Sequence, residues 1–173
     1  MAPLIVLVVV TLVARLIGHV GGARARDWAV STRIGLAVMF CFTAAAHFSS
    51  MRADMVAMVP PFVPNPEFMV TFTGICEILG AIGLLVPRTR RLAAVGLILL
   101  LLSVLPANIY AAQAGVTLRG AQPTPMIPRI ALQALFIGLV WWSGLSSRRS
   151  PSASTPRDTH RGSRSSRRPR PSR

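Results

Sequence analysis

The sequence contains no lysine, five acidic residues and two cysteines, and the scarcity of cysteine argues against two kinds of chemistry. Cys41 and Cys76 lie far apart and form no Cys-x-x-Cys motif, so neither a thiol relay nor a zinc site is indicated. Free cysteines in apolar segments mostly behave as small hydrophobic residues. There is also no haem ligation pair and no flavin fingerprint. We therefore interpret the chain as non-catalytic, although the sequence leaves enzymatic activity open, and we predict no metal site.

Apolar residues, by contrast, make up 52% of the chain, and the mean hydropathy is +0.55. They are grouped in five blocks at about residues 3–20, 28–48, 68–86, 92–114 and 127–144. Each block approaches the ~20 residues that a helix needs to cross a hydrocarbon core of about 30 Å. Strand-like alternation is absent, and in lipid only helices or closed barrels satisfy the backbone hydrogen bonds. The sequence predicts an all-α transmembrane helical bundle with about five spans.

Three regions are predicted along the chain. Residues 1–27 form an N-terminal transmembrane helix with a basic loop, residues 28–145 a four-helix transmembrane core, and residues 146–173 a tail rich in Arg, Ser and Pro. The tail has nine arginines and one acid, a net charge of +8. It has too few apolar residues to offset its chain entropy and is predicted to be disordered.

The simplest interpretation of the tail is a solvated segment that fixes topology. Attraction to anionic lipids is an alternative. Specific nucleic-acid binding is disfavoured, because no aromatic residues alternate with the arginines.

The distribution of arginine predicts the orientation, since cytoplasmic loops carry the excess of positive charge. With the N-terminus outside and the C-terminus inside, the basic clusters fall on the cytoplasmic side. These clusters contain Arg24, Arg26, Arg88, Arg90, Arg91, Arg148 and Arg149. We expect a multi-pass protein of the cytoplasmic membrane. A cleaved signal peptide ending near residue 25 is an alternative for the first block, but no positive charge precedes that block.

Polar side chains within the spans are the candidates for ligand binding or proton relay, because such groups are costly in lipid and face protein or water. The candidates are His47, Glu77, Asn108, Arg129 and Gln133. Since the spans alternate in direction, four fall in the outer half and Glu77 lies just beneath them. Gly74 and Gly80 flank Glu77 on one helical stripe, so Glu77 should face a neighbouring helix. It then pairs with His47 or Arg129, or stays protonated.

A structural role competes with the functional one. Membrane bundles use Asn, Gln, His and Glu as hydrogen bonds between helices, at about 0.6–2 kcal/mol each. Pro106 also removes a helical hydrogen bond in the fourth span. We expect a polar side chain such as Asn108 to bind near that gap.

Several short motifs follow one another in a set order between about residues 33 and 142. They are Ala-x-His-Phe at 45–48, Val-Pro-Pro-Phe-Val-Pro-Asn-Pro at 59–66, Thr-Gly-Ile-Cys-Glu-Ile at 73–78, Val-Pro-Arg at 86–88 with Arg90-Arg91, Pro-Ala-Asn-Ile-Tyr at 106–110, and Arg129 with Gln133. As a set they resemble the DoxX-like family of small bacterial integral membrane proteins. The resemblance implies a four-helix core in the cytoplasmic membrane. It also implies, for some members, links to quinone-coupled sulfur oxidation or to redox complexes that handle thiol and oxidative stress.

The resulting hypothesis is a non-catalytic subunit of a membrane redox system that binds a quinone or small amphiphile in an outer-facing pocket. Its partners would be the lipid bilayer and redox-complex proteins, and quinone is the one cofactor considered. A scaffold of unknown biochemical function is the main alternative, and a small-solute transporter is disfavoured because no inverted repeat is visible. An amphiphile needs a cleft that opens sideways to lipid, whereas a scaffold needs its polar groups paired with one another.

Overall fold

The computed structural model describes residues 2–21, 27–117, 120 and 125–146, and every regular element in these ranges is helical. The helices are α1 (Ala2–Gly21), α2 (Trp28–His47), α3 (Arg52–Ala57), α4 (Pro66–Leu85), α5 (Arg90–Gln113) and α6 (Met126–Val140), and α6 continues as a π-helical segment (Trp141–Leu145). Five of these described helices are long and apolar enough to cross a membrane: α1, α2, α4, α5, and α6 with its π-helical segment. The predicted all-α bundle is confirmed, and the block boundaries differ from the helix boundaries by at most two residues.

Some sequence predictions fall outside the described residues. They concern the tail beyond Ser146, the signal-peptide site near residue 25, and Arg24, Arg26, Arg148 and Arg149.

Local sequence sets the starts of the helices. Asp27 precedes α2, and its Oδ1 accepts a hydrogen bond of 2.9 Å from the backbone N–H of Ala29, which satisfies a donor that the helix itself leaves unpaired. Helix α4 begins with Pro66 at its first position, where a missing N–H does no harm. The preceding Asn65 has φ 50°, a left-handed conformation that asparagine tolerates. Helix α3 was not predicted, because the prolines that follow it made the whole segment resemble a loop.

The long helices pack in chain order: α1 on α2, α2 on α4, α4 on α5, and α5 on α6, while the π-helical segment returns to α5 and α2. The largest fully buried side chains of the described core are Leu36, Met39, Phe40, Leu84, Leu97 and Val140. A short turn makes α4 and α5 antiparallel. We call the end of the bundle where α2 stops and α4 starts the His47 end. The opposite end, at the α4–α5 turn, is the Arg90 end.

Helix α1 packs closely on α2 because Gly35 has no side chain. A Cβ at Gly35 would lie 2.9 Å from the backbone carbonyl oxygen of Leu7, and it would also clash with the hydroxyl of Thr11. At the Arg90 end, the guanidinium carbon of Arg15 lies 3.8 Å from the ring centroid of Trp28. This cation–π contact joins the end of α1 to the start of α2.

Candidate functional site

His47 and Glu77, which the sequence predicted to lie close together, face each other between α2 and α4. The His47 side chain is buried, and its Nδ1 lies 2.7 Å from the carbonyl oxygen of Val70. A carbonyl oxygen can only accept, so Nδ1 carries the hydrogen and Nε2 is the atom that gains or loses a proton. Nε2 lies 3.8 Å from Oε1 of Glu77. That distance suits an ion pair but is too long for a hydrogen bond.

Thr43 completes this site on the other carboxyl oxygen. Its Oγ1 lies 2.7 Å from Oε2 of Glu77 and 3.0 Å from the carbonyl oxygen of Phe40. A hydroxyl has one hydrogen to donate. When Glu77 is ionised, Thr43 donates to it, and when Glu77 is protonated, the acid donates to Thr43, which donates to Phe40. The Thr43 hydroxyl therefore has a hydrogen-bond partner whichever form the carboxyl group takes.

Gly74 allows the imidazole to lie against α4. A Cβ at this position would come within 2.8 Å of the Cβ of His47. Sequence reasoning expected Gly74 to permit a close helix approach, and in the structure His47 and Phe48 fill the space that its missing side chain leaves.

Asn108 and Gln133 form a second polar pair, between α5 and α6. The side-chain amide of Asn108 donates to Oε1 of Gln133 over 3.1 Å, and Nε2 of Gln133 donates to the backbone carbonyl of Leu101. Pro106 lacks the N–H that would bond to the carbonyl of residue 102. The carbonyl of Leu101, to which Gln133 donates, is therefore next to this gap in the helical hydrogen bonds. The side chain that donates to this stretch of backbone is Gln133. The sequence predicted a polar side chain near the gap and gave Asn108 as an example.

Arg129, the fifth candidate, is half-buried in the first turn of α6, one turn before Gln133. The ion-pair contact that the structure shows for Glu77 is with His47. Of the two expected cation partners, the structure therefore places His47 next to the carboxylate.

Two contributors were missed by sequence reasoning. Thr43 lies one turn before His47, on the same face of α2, and that spacing could have identified it. Arg52 donates to the carbonyl of His47 over 3.3 Å and to that of Glu67 over 3.0 Å. It thereby joins the end of α2 to the start of α4. In the sequence Arg52 is only a charge in a loop, and no pattern there marks this role.

A separate groove of about 720 Å³ lies between α4 and α5. Its lining residues are Phe72, Cys76, Leu79, Gly80, Ile82, Gly83, Val86, Thr89, Leu92, Ala93, Gly96, Leu97, Leu99, Leu100 and Ser103. Leu79, Ile82 and Leu99 are exposed along it, so the groove opens sideways. Its two hydroxyls donate to helix carbonyls, Thr89 to Gly83 over 3.1 Å and Ser103 over 2.8 Å. The groove thus presents an almost wholly apolar surface.

None of the five candidate polar residues lines this groove. It therefore differs from the outer-facing polar pocket that the sequence suggested. In the described part of the chain, no group of three or more His, Cys, Asp or Glu side chains is arranged to hold a metal ion.

The described fold and site define a class: an all-helical protein with five helices of membrane-spanning length and a His–Glu pair, its histidine buried, between two of them. Residues 36–144 match the model of a family described as Domain of unknown function (DUF8561), and the chain belongs to that family. The matched segment includes all five candidate residues and both walls of the groove. No curated protein and no solved structure matches the chain significantly. The family description states no function, and the resemblance to the DoxX-like family stays a prediction.

Proposed function

We propose that this protein lies in a bacterial cytoplasmic membrane as a non-catalytic subunit of a membrane system. It binds a lipid-like amphiphile in the groove between α4 and α5. The observation that carries the proposal is the groove itself. Its volume of about 720 Å³ falls within the range of about 300–1,000 Å³ typical of small-molecule sites. Its walls are apolar and it opens along the side of two helices of spanning length, as a ligand that enters from the bilayer requires.

The proposed orientation has the N-terminus outside and the C-terminus inside. Arg88, Arg90 and Arg91 lie at the Arg90 end and Arg52 lies at the His47 end, which favours a cytoplasmic Arg90 end. Thr117→Cys should react with a membrane-impermeant maleimide in intact cells, and Arg88→Cys should react only after permeabilisation. The reverse pattern would overturn this orientation.

Filling the groove tests the binding proposal. Gly96 lies midway along the α5 wall, and a Cβ there would meet no atom within 4 Å. We expect Gly96→Trp to remain folded and to lose the amphiphiles that co-purify with the wild-type protein, as measured by mass spectrometry of extracted lipids. Gly138→Trp is the matched control, because Gly138 is also open on a helix but lies outside the groove. Equal amphiphile content in both variants would refute the proposal.

A scaffold is the second candidate, and the pairing of the polar groups favours it. His47, Glu77, Asn108 and Gln133 each contact another part of the described protein. Wild-type protein that purifies without any bound amphiphile would favour this alternative. A transporter has less support, because the groove is apolar along its length.

Association with a redox complex, and quinone as one candidate for the amphiphile, rest on the resemblance to the DoxX-like family. Isolation from native membranes under mild detergent tests both. Redox proteins should then co-purify with the chain, and their absence would remove this part of the proposal. Co-purified quinone would identify it as the amphiphile.

A further inference from the structure

Positive charge is concentrated where the groove reaches the Arg90 end. Thr89, in the turn between α4 and α5, lines the groove there. Arg88 precedes it, and Arg90 and Arg91 begin α5. Arg88 and Arg91 are exposed, whereas Arg90 is half-buried. The apolar groove therefore ends at a group of three arginines.

These arginines are not neutralised by the described part of the protein. Within it, no ion pair joins any of the three to a carboxylate, and the buried Nε of Arg90 has no hydrogen-bond partner there. Arg90 lies close enough to Arg33 for their charges to act on each other. The described acid at this end is Asp27, whose carboxylate already caps α2. The Arg90 end thus has an excess of positive charge beside an apolar groove.

We propose that the occupant of the groove is an anionic phospholipid, with an acyl chain along α4 and α5 and its phosphate held by Arg88 and Arg91. This inference rests on the proposed function, namely that an amphiphile occupies the groove. Arginine binds phosphate through paired N–H groups, and basic sites between helices at the cytoplasmic face recognise anionic headgroups. A neutral quinone offers these arginines no anion. The charge therefore favours a phospholipid.

The start of α5 adds to the attraction. The hydroxyl of Thr89 donates to the carbonyl of Gly83 and does not cap the helix. The N-terminus of this 24-residue helix therefore has no side-chain cap, and its partial positive charge lies beside the arginines. Both sources of positive potential lie where the phosphate would sit.

The test measures headgroup preference on the full-length chain. The purified protein is titrated with equal amounts of phosphatidylglycerol and phosphatidylcholine, and bound lipids are counted by native mass spectrometry. Arg88→Gln/Arg91→Gln should lower the ratio of bound phosphatidylglycerol to phosphatidylcholine about 25-fold, because about 1 kcal/mol per arginine is about fivefold at 1.4 kcal/mol per tenfold. Arg88→Lys/Arg91→Lys should fall between this variant and the wild type.

The controls separate the two proposals. Arg15→Gln removes a charge from the same end but away from the groove, and it should leave the ratio unchanged. Gly96→Trp should lower the binding of both lipids. If it lowers neither, occupancy of the groove is wrong. If it lowers both while the Arg88→Gln/Arg91→Gln ratio equals that of the wild type, the anionic headgroup alone is wrong. Efficient disulfide-linked dimers of Gly96→Cys in a background without Cys41 and Cys76 would show a second copy over the groove and overturn the phospholipid.

Discussion

Replacing Gly74 with alanine tests whether the His–Glu site depends on the close approach of α2 and α4. The added Cβ would lie 2.8 Å from Cβ and 3.0 Å from Cγ of His47, and 3.1 Å from a ring carbon of Phe48. Carbon atoms in favourable contact are about 3.5–4.0 Å apart. The backbone fixes both Cβ atoms, so rotation of the imidazole alone cannot relieve the clash. The helices must separate by about 1 Å.

The expected cost follows from two effects of this separation. Overpacking a close helix contact costs about 1–3 kcal/mol. The hydrogen bond of 2.7 Å from His47 to the carbonyl of Val70 would stretch beyond bonding range. Its net loss is worth about 0.5–1.5 kcal/mol. We expect Gly74→Ala to lower the free energy of unfolding by roughly 2–4 kcal/mol.

The assay is reversible unfolding of the detergent-purified protein in increasing SDS. Gly138→Ala is the control, because a Cβ at Gly138 meets no atom within 4 Å, and its unfolding free energy should stay close to that of the wild type. If Gly74→Ala unfolds at the same SDS fraction as the control, the close approach does not contribute to stability, and our account of the site is wrong.

Three further tests, each with its own substitutions, concern other contacts. Glu77→Gln should lower the free energy of unfolding in SDS by less than about 1 kcal/mol, because its amide oxygen still accepts a hydrogen bond and His47 can lose its proton. Glu77→Leu should lower it by about 1–3 kcal/mol. Equal losses in the two variants would show that the hydrogen bond to residue 77 does not contribute. Gln133→Leu should cost about 1–3 kcal/mol by leaving Asn108 unpaired, and adding Asn108→Leu should recover part of that loss; strict additivity would show that the pair does not interact. Gly35→Ala should raise hydrogen exchange in α1 but not in α4, and an unchanged α1 would contradict the close α1–α2 contact.

The spans were predictable because length and hydropathy alone decide which segments can cross a bilayer, and because prolines mark the turns. The approach of His47 to Glu77 was predictable from alternating helix direction, which brings residues of similar depth together. The choice among partners was not, because it depends on rotation of each helix about its axis. That rotation brings the side chain of Gln133, from α6, to the backbone carbonyl of Leu101 in α5. The groove was also hidden, since apolar residues such as Leu99 look the same in sequence whether they pack or stay exposed.

The packing of the long helices in chain order has a consequence for biosynthesis. Each helix finds its main neighbour in one already made, so the contacts are short-range and can form as the chain leaves the ribosome. The π-helical segment is the exception, because it returns to α2 and brings Gly144 against Ala94 and Leu84. Without this segment, Ala94 and Leu84, which are buried in the finished protein, would be more exposed. Packing of α6 and its π-helical segment is therefore the step that completes the core, and a nascent chain that stops before Met126 leaves this surface unfinished.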